Sequence, residues 1–366
     1  MRIASPFVRA VAGMFAGAIV SAVLVMVISA LHREPPLPRL VPETASGALQ
    51  RIAIHYVPAQ DAQALPVWQQ LFRVLPPSVK VVVAVERAED FTQFLAHMRG
   101  TRTERFSSAI VGHAITTWSR DRMAALEAPA GILSPPRVST SSGRRAGDWD
   151  APFAITRSVY DATPRIANLV FEGGDLAASR TYVFADANLI GRNLARGDAT
   201  RAHLEDVLAH TFSQKVIWLG DNPGEIPEHH IMMYMVPLDE HRVLVGDPRL
   251  GHELAPAVDA DAAFEDHVAR FDHVASLLTA QGFAVTRIPV VVLPGAGSYV
   301  TYTNALFDRD ESGPIVYLPT YGIPELDDTA SDLYASLGYR VIEIDVSTIY
   351  RLNGSLGCLV NVMSRG

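Results

Sequence analysis

The chain has 366 residues, enough for two domains or one large one, and its 49% hydrophobic and 19% charged residues exclude whole-chain disorder, collagen and coiled-coil architectures. Lys and Arg number 31 against 39 Asp and Glu, a net charge of −8 without any Lys/Arg-rich run, which argues against a nucleic-acid partner. The single cysteine, Cys358, excludes an intramolecular disulfide and a Cys-based zinc cluster, and a lone cysteine is most often an inert buried side chain. In chain order, the first feature is an uncharged apolar run from Val11 to Leu31, preceded by Arg2 and Arg9. As a helix rising about 1.5 Å per residue it would span roughly the 30 Å hydrocarbon core of a bilayer. Residues 1–33 are therefore expected to be a signal anchor or signal peptide that gives the chain a membrane contact and an exported, extracytoplasmic body. Protection of that body from external protease in intact spheroplasts would contradict this. Residues 34–47 open with a Pro-rich stretch, Glu34 to Pro42, expected to be a stiff tether that does not pack. The folded body is expected over 48–366.

The body alternates strand and helix signals. Arg51 to Val57 alternates as a strand, Ala62 to Val74 reads as a helix, and Val79 to Val85 is a continuous β-branched run of the buried kind. Ala88 to Met98 is helical, Val183 to Leu189 a strand, Ala202 to Thr211 a helix, and Lys215 to Leu219 a strand. Arg242 to Gly246, the long helix Asp261 to Gln281, and Ala284 to Val292 repeat the rhythm. The last unit runs from the strand Ile315–Pro319 through the helix Leu326–Leu337, with Gly338 as its C-terminal stop, to the strand Arg340–Asp345. Such α/β alternation commonly means a doubly wound parallel sheet. No Gly-rich phosphate loop follows the first strand, so a nucleotide-binding version is excluded.

Gly295-Ala-Gly-Ser298 lacks a Lys and reads as a turn. Asn353-Gly-Ser-Leu-Gly357 lacks the first Gly of a nucleophile elbow, and adjacent His229 and His230 diverge on any regular element, so neither a serine hydrolase nor a metal site is expected. Three segments concentrate chemistry. Phe171-Glu-Gly-Gly-Asp-Leu176 places two acids about two glycines, which also fits a tight turn with solvated acids. His229-His-Ile-Met-Met-Tyr234, leading into Val243-Leu-Val-Gly-Asp247, fits either a base or a satisfied core histidine. Gly354-Ser-Leu-Gly-Cys-Leu-Val-Asn361 leaves a sulfur open to a ligand, or is a plain strand entry.

The order acid motif, His, C-terminal Cys resembles that of the guanidine-modifying enzymes: arginine, agmatine and bacterial peptidylarginine deiminases, dimethylarginine dimethylaminohydrolases and amidinotransferases. Trp149-Asp-Ala-Pro-Phe153 resembles the family's Trp…Asp-Pro-Phe element, while Ser298-Tyr-Val-Thr-Tyr-Thr-Asn304 and Tyr317-Leu-Pro-Thr-Tyr-Gly322 resemble the agmatine and peptidylarginine deiminase branch. The resemblance implies the pentein fold, a five-bladed α/β propeller of ββαβ modules around a central site. Five strand–helix units suit it better than a doubly wound sheet does. It further implies Cys358 as nucleophile, His230 as general acid and base, and Glu172 as guanidinium carboxylate. Asp150, Asp148, Asp175, Trp149, Asn304 and Met232 would contact the substrate. A covalent thiouronium would form on Cys358 and be hydrolysed, with no metal or organic cofactor.

The implied partner is a small-molecule or peptidyl guanidine. Amidino transfer and a non-catalytic, ligand-binding pentein are the alternatives. Two positions depart from the pattern. Met232 stands where the family's His is followed, two residues on, by an Asp. Ala151 stands where an Asp directly precedes the Pro, with Asp150 one residue early.

Overall fold

The computed structural model describes residues 36–129, 131–138, 145–196, 200–258, 263–294 and 298–366. The apolar run Val11–Leu31, and Gly295 to Gly297, lie outside them. Among the described residues no helix is long and apolar enough to cross a membrane. From Pro38 to Gly366 the chain forms one compact unit.

Among the described residues the strands fall into five separate small sheets rather than one doubly wound sheet. Four of them follow one rule: two strands pair antiparallel as a hairpin, and a helix then carries the chain to a third strand, parallel to the second. These comprise Ala124–Leu126, Gly131–Ser134 and Arg165–Ile166; Leu176–Ala178, Tyr182–Asp186 and Lys215–Leu219; Met235–Pro237, Arg242–Asp247 and Ala284–Val292, with Tyr299–Thr301 added at its edge; and Leu306–Asp310, Gly313–Thr320 and Arg340–Asp345. The remaining sheet joins the two ends of the body. Leu49–His55 pairs antiparallel with the C-terminal strand Asn361–Arg365 and parallel with Lys80–Val85, which pairs parallel with Phe106–Ile110. The C-terminal strand thus supplies the hairpin partner that the first unit lacks, and it follows Cys358 by three residues.

The central strands are those whose sequences are apolar throughout. Val81, Val82, Val83, Ala84 and Val85 are all buried, as expected of a parallel strand covered on both faces. The helices Asp61–Val74, Ala88–His97, Phe264–Ala280 and Pro324–Ser336 bury one face each. Gly338 adopts φ +91° directly after the last of these, the left-handed position that ends a helix.

The segment expected to stand off the body packs on it from Pro38 onward. Leu40, Val41 and Ala45 are buried. Leu40 donates its N–H to Gln214 Oε1 (2.7 Å), Val41 to Ala125 O (2.9 Å) and Glu43 to Ala178 O (2.8 Å). Pro38 and Pro42 lack N–H groups, but the residues between and after them satisfy the outer edges of two sheets, at Ala124–Leu126 and Leu176–Ala178. Covering an exposed edge is the usual protection against unwanted strand pairing.

Candidate active site

Cys358 lies on the short helix Leu356–Leu359, behind a sharp turn in which Asn353 takes φ +67°. Gly354 has no room for a Cβ, which would come within 2.4 Å of the Trp118 ring. The Cys358 N–H donates to Asn304 Oδ1 (3.1 Å), and Asn304 Nδ2 donates to the sulfur (3.4 Å). Tyr321 bridges Ser355 Oγ (2.8 Å) and Thr301 O (2.6 Å) beneath the same turn. Ser355 is therefore tied into the scaffold, while Cys358 lines the cavity together with Asn353 of the turn.

Glu172 sits at the head of the 3-10 turn Gly173–Asp175. Both glycines are demanded by neighbours. A Cβ on Gly173 would lie 2.1 Å from Arg120 O, and one on Gly174 would lie 2.3 Å from the His230 ring. The acids are buried rather than solvated. Asp175 is fully enclosed, accepts the Glu172 N–H at 2.7 Å and pairs with Arg192. His230 Nε2 meets Glu172 Oε2 at 2.9 Å, and the imidazole and Cys358 line the same cavity. Burial disfavours the imidazolium, but Cys358, Glu172 and the charge of Asp121 outweigh it, so the His230 pKa rises well above its ordinary value. Burial alone would raise the Glu172 pKa; His230, Arg192 and Arg122 together drive it far below the usual carboxylate range. His229 behaves oppositely: burial, and then the charge of His230, lower its pKa to about 3. Its Nδ1 accepts the His230 N–H at 2.8 Å, which an unprotonated ring nitrogen alone can do.

These groups line one open cavity of about 790 Å³, together with Trp118, Asp121, Arg145 and Arg192. Asp121 lies 4.0 Å from His230 Nδ1 and pairs with Arg145. Its segment, Trp118-Ser-Arg-Asp-Arg122, is a tight charge cluster in a chain with few charges. That was the available signal for a residue the sequence reading missed.

The carboxylates expected from Trp149–Phe153 stand elsewhere. Asp150 pairs with Arg137 and His113 and does not reach the cavity, because it lies just ahead of the helix Ala151–Tyr160. Asp148 is buried, accepts the N–H and hydroxyl of Thr116 (2.7 and 2.8 Å), and holds Arg145 by its Nε (2.9 Å). Trp149 carries the Arg122 guanidinium on its ring face, at 4.8 Å from the centroid. Asp175 and Asn304 act behind Arg192 and Cys358. Met232 is a core residue and not a cavity wall: the turn Ile231–Met233 buries it while its carbonyl accepts from Thr303 Oγ1 (2.8 Å). The neighbouring Met233 sulfur lies 4.0 Å from Cys358.

The arginines change the electrostatic balance. Arg122 and Arg192 each hold an oxygen of Glu172, Arg192 also holds Asp175, and Arg145 holds both Asp121 and Asp148. With protonated His230, four cations face four carboxylates. Among the described residues no His, Cys, Asp and Glu cluster could hold a metal ion.

Residues 53–363 match the model of the Porphyromonas-type peptidyl-arginine deiminases. The chain belongs to that family. Membership places it in the pentein superfamily of guanidine-modifying enzymes, and solved structures agree on a pentein-type α/β fold. C. jejuni agmatine deiminase matches with a TM-score of 0.64 at 17% identity, over 90% of this chain and 97% of its own. The agmatine deiminase of Enterococcus faecalis matches with a TM-score of 0.67 at 14% identity, over 90% and 96%. No curated protein sequence matches the chain.

Proposed function

We propose that this pentein, its five sheets arranged as propeller blades about the cavity, is a cysteine-dependent hydrolase of a guanidino group. The observation that carries the reading is that Cys358, His230 and Glu172 line one cavity, with His230 bonded to Glu172 and Asp121 beside it. In the proposed reaction the Cys358 sulfur, as thiolate, attacks the guanidino carbon and forms a C–S bond. His230, already protonated through its bond to Glu172, gives its proton to the departing nitrogen as that C–N bond breaks. A thiouronium remains on Cys358. Neutral His230 then takes a proton from water as the oxygen adds to the same carbon, and the C–S bond breaks to release the thiolate and a urea, whose remaining O–H proton passes to solvent. Asn304 Nδ2 stabilises sulfur in both steps.

Two features bear on the substrate. The cavity exceeds what one arginine side chain fills, which favours an arginine carried in a peptide, as the family's description suggests. The carboxylates are already paired, so a guanidinium must displace Arg145 from Asp121 or Arg192 from Glu172. Losing a charged partner in such a contact costs about 2–5 kcal/mol, roughly 30- to 3000-fold in affinity for a simple cation such as agmatine. The same pairing favours one competing reading, a pentein that binds a ligand or partner without turnover, while an amine in place of water would make the reaction an amidino transfer. A citrulline and ammonia assay across agmatine, arginine and arginine peptides decides among them. Turnover of a peptide that disappears in Cys358→Ala, with unchanged melting temperature, is expected. Turnover retained in Cys358→Ala removes the covalent mechanism.

A further inference from the structure

We propose that the segment Pro38–Gly47 belongs to the catalytic apparatus, with Glu43 a positioning residue that acts on Cys358 and Glu172 through Arg120. The inference rests on the hydrolase reading above. Arg120 is buried, and Glu43 is the carboxylate that pairs with its guanidinium among the described residues. The same Nη2 donates to Leu176 O (3.0 Å), at the exit of the turn that carries Glu172 and Asp175. The Arg120 backbone ties the other parts together. Its N–H approaches Cys358 O (3.4 Å), its carbonyl packs against Gly173, and the next residue is Asp121, whose own carbonyl accepts the Gly173 N–H (3.0 Å). Ser119, on its other side, donates to Leu359 O (2.7 Å), just past the cysteine. One residue thus joins the cysteine helix, the Glu172 turn and Asp121, and its side chain is fixed by a charge from the N-terminal segment.

Glu43 is itself held firmly. Its N–H bonds Ala178 O (2.8 Å), Leu40 is clamped by both amide atoms of Gln214, and Arg365 donates to Pro42 O (2.8 Å) and Gly47 O (3.1 Å). A guanidinium buried beside backbone carbonyls needs a carboxylate to stay in place, since an unpaired buried charge is strongly disfavoured. Without the charge of Glu43, Arg120 would swing towards solvent and release Leu176 O. The Glu172 turn and the cysteine helix would then lose their common anchor, although no group that touches substrate had changed.

The test is Glu43→Gln, which keeps shape and removes charge. Its first readout is alkylation of Cys358 by 2-chloroacetamidine, which needs no turnover. The expected result is alkylation slowed about tenfold or more at pH 7, with kcat on the best arginine peptide falling equally and KM within threefold. Glu43→Asp, which keeps the charge on a side chain one methylene shorter, should recover part of the rate and remain at least twofold slower than wild type. In the double variant Glu43→Gln/Arg120→Met the melting temperature should return while alkylation stays slow, which a purely stabilising role would not produce. Alkylation within twofold of wild type in folded Glu43→Gln, or full recovery of the rate in the double variant, overturns the proposal. If Glu43→Gln fails to fold, Glu43→Asp decides: a two- to tenfold slowing with unchanged KM supports the proposal, and an unchanged rate overturns it. Fast alkylation of wild type with no turnover of any guanidine sinks the hydrolase reading instead and leaves the alkylation comparison standing.

Discussion

The thiol side of the cavity is held by neutral groups: Asn304 grips Cys358 through its amide, Ser355 and Tyr321 share a hydroxyl bond, and Met233 touches the sulfur. The carboxylate side is ionic, with Glu172, Asp175 and Asp121 bound by arginines from three separate segments. The first arrangement costs little to build because each group satisfies its neighbour with an ordinary hydrogen bond. The second depends more on its members staying together, since Asp121 and Asp175 are buried and Glu172 and the arginines that pair with them are half-buried. Disturbance of the two sides should therefore differ in kind. Removing a neutral group should loosen the nucleophile, whereas removing one ion should unsettle several others.

The largest expected effect lies in the apolar floor beneath both sides. Met232→Asp would place a carboxylate in the core rather than in the cavity, with no cation beside it. It should cost at least about 4 kcal/mol of stability, measured by denaturant unfolding, and should not improve turnover of agmatine. A stable Met232→Asp protein with tenfold higher agmatine turnover would show that this side chain reaches the substrate after all.

Next comes the direct comparison. Glu172→Gln leaves Arg122, Arg192 and protonated His230 short of one negative charge and should cost about 3–5 kcal/mol. Asn304→Ala removes one of two acceptors from the Cys358 N–H, which keeps Ser355 O (3.1 Å), and the amide donor to the sulfur, and should cost about 0.5–1.5 kcal/mol. The gap itself is the measurement, made by urea denaturation of both variants under one condition. Equal losses would mean that the ionic side is not a coupled set.

What could be read from sequence follows the same division. Lys215–Leu219, Ala284–Val292 and Arg340–Asp345 were legible to the residue, because runs of β-branched and other apolar residues bounded by polar ones carry their own signal. The three-residue strands Leu176–Ala178, Met235–Pro237 and Tyr299–Thr301 were not, since three residues show no period and their pairing is decided by the hairpin partner. In the site, Glu172, His230 and Cys358 stood out because glycines and apolar residues flank them in a distinctive order. The arginines did not. Arg192 lies on the helix Asn188–Asn193 and looks like any exposed helical cation; its two carboxylates come from the turn 17 and 20 residues upstream. Asp121 carried no such mark: Trp118 stands three residues before it, whereas Trp149 is flanked directly by Asp148 and Asp150 ahead of Pro152 and Phe153. Only the folded chain shows which acid reaches the histidine.

The smallest effect concerns proton linkage at His229, which is half-buried and neutral next to charged His230. Its pKa is lowered to about 3 in the folded protein and is about 6.5 when unfolded, so folding favours the neutral form. A depressed histidine contributes stability above its unfolded pKa and loses it as pH falls. For His229 the loss begins near pH 6.5 and continues towards pH 3. His230 has the opposite sign: its raised pKa leaves its contribution complete below about pH 6.5, to be lost as pH rises through the folded value. Glu172, with its lowered pKa, begins to lose its contribution only as pH falls through about 4.5. His55, whose pKa burial lowers, acts in the same direction as His229, and Asp186, raised to about 8 by burial and Asp175, acts against it. The absolute slope therefore mixes several groups, but the difference between wild type and His229→Asn isolates one. Between pH 6 and 4.5 that difference should change by up to about 1.4 kcal/mol per pH unit, with wild type losing stability faster as pH falls. Parallel stability curves for the two proteins across that interval would mean that His229 is protonated in the fold and that its ring does not accept the His230 N–H.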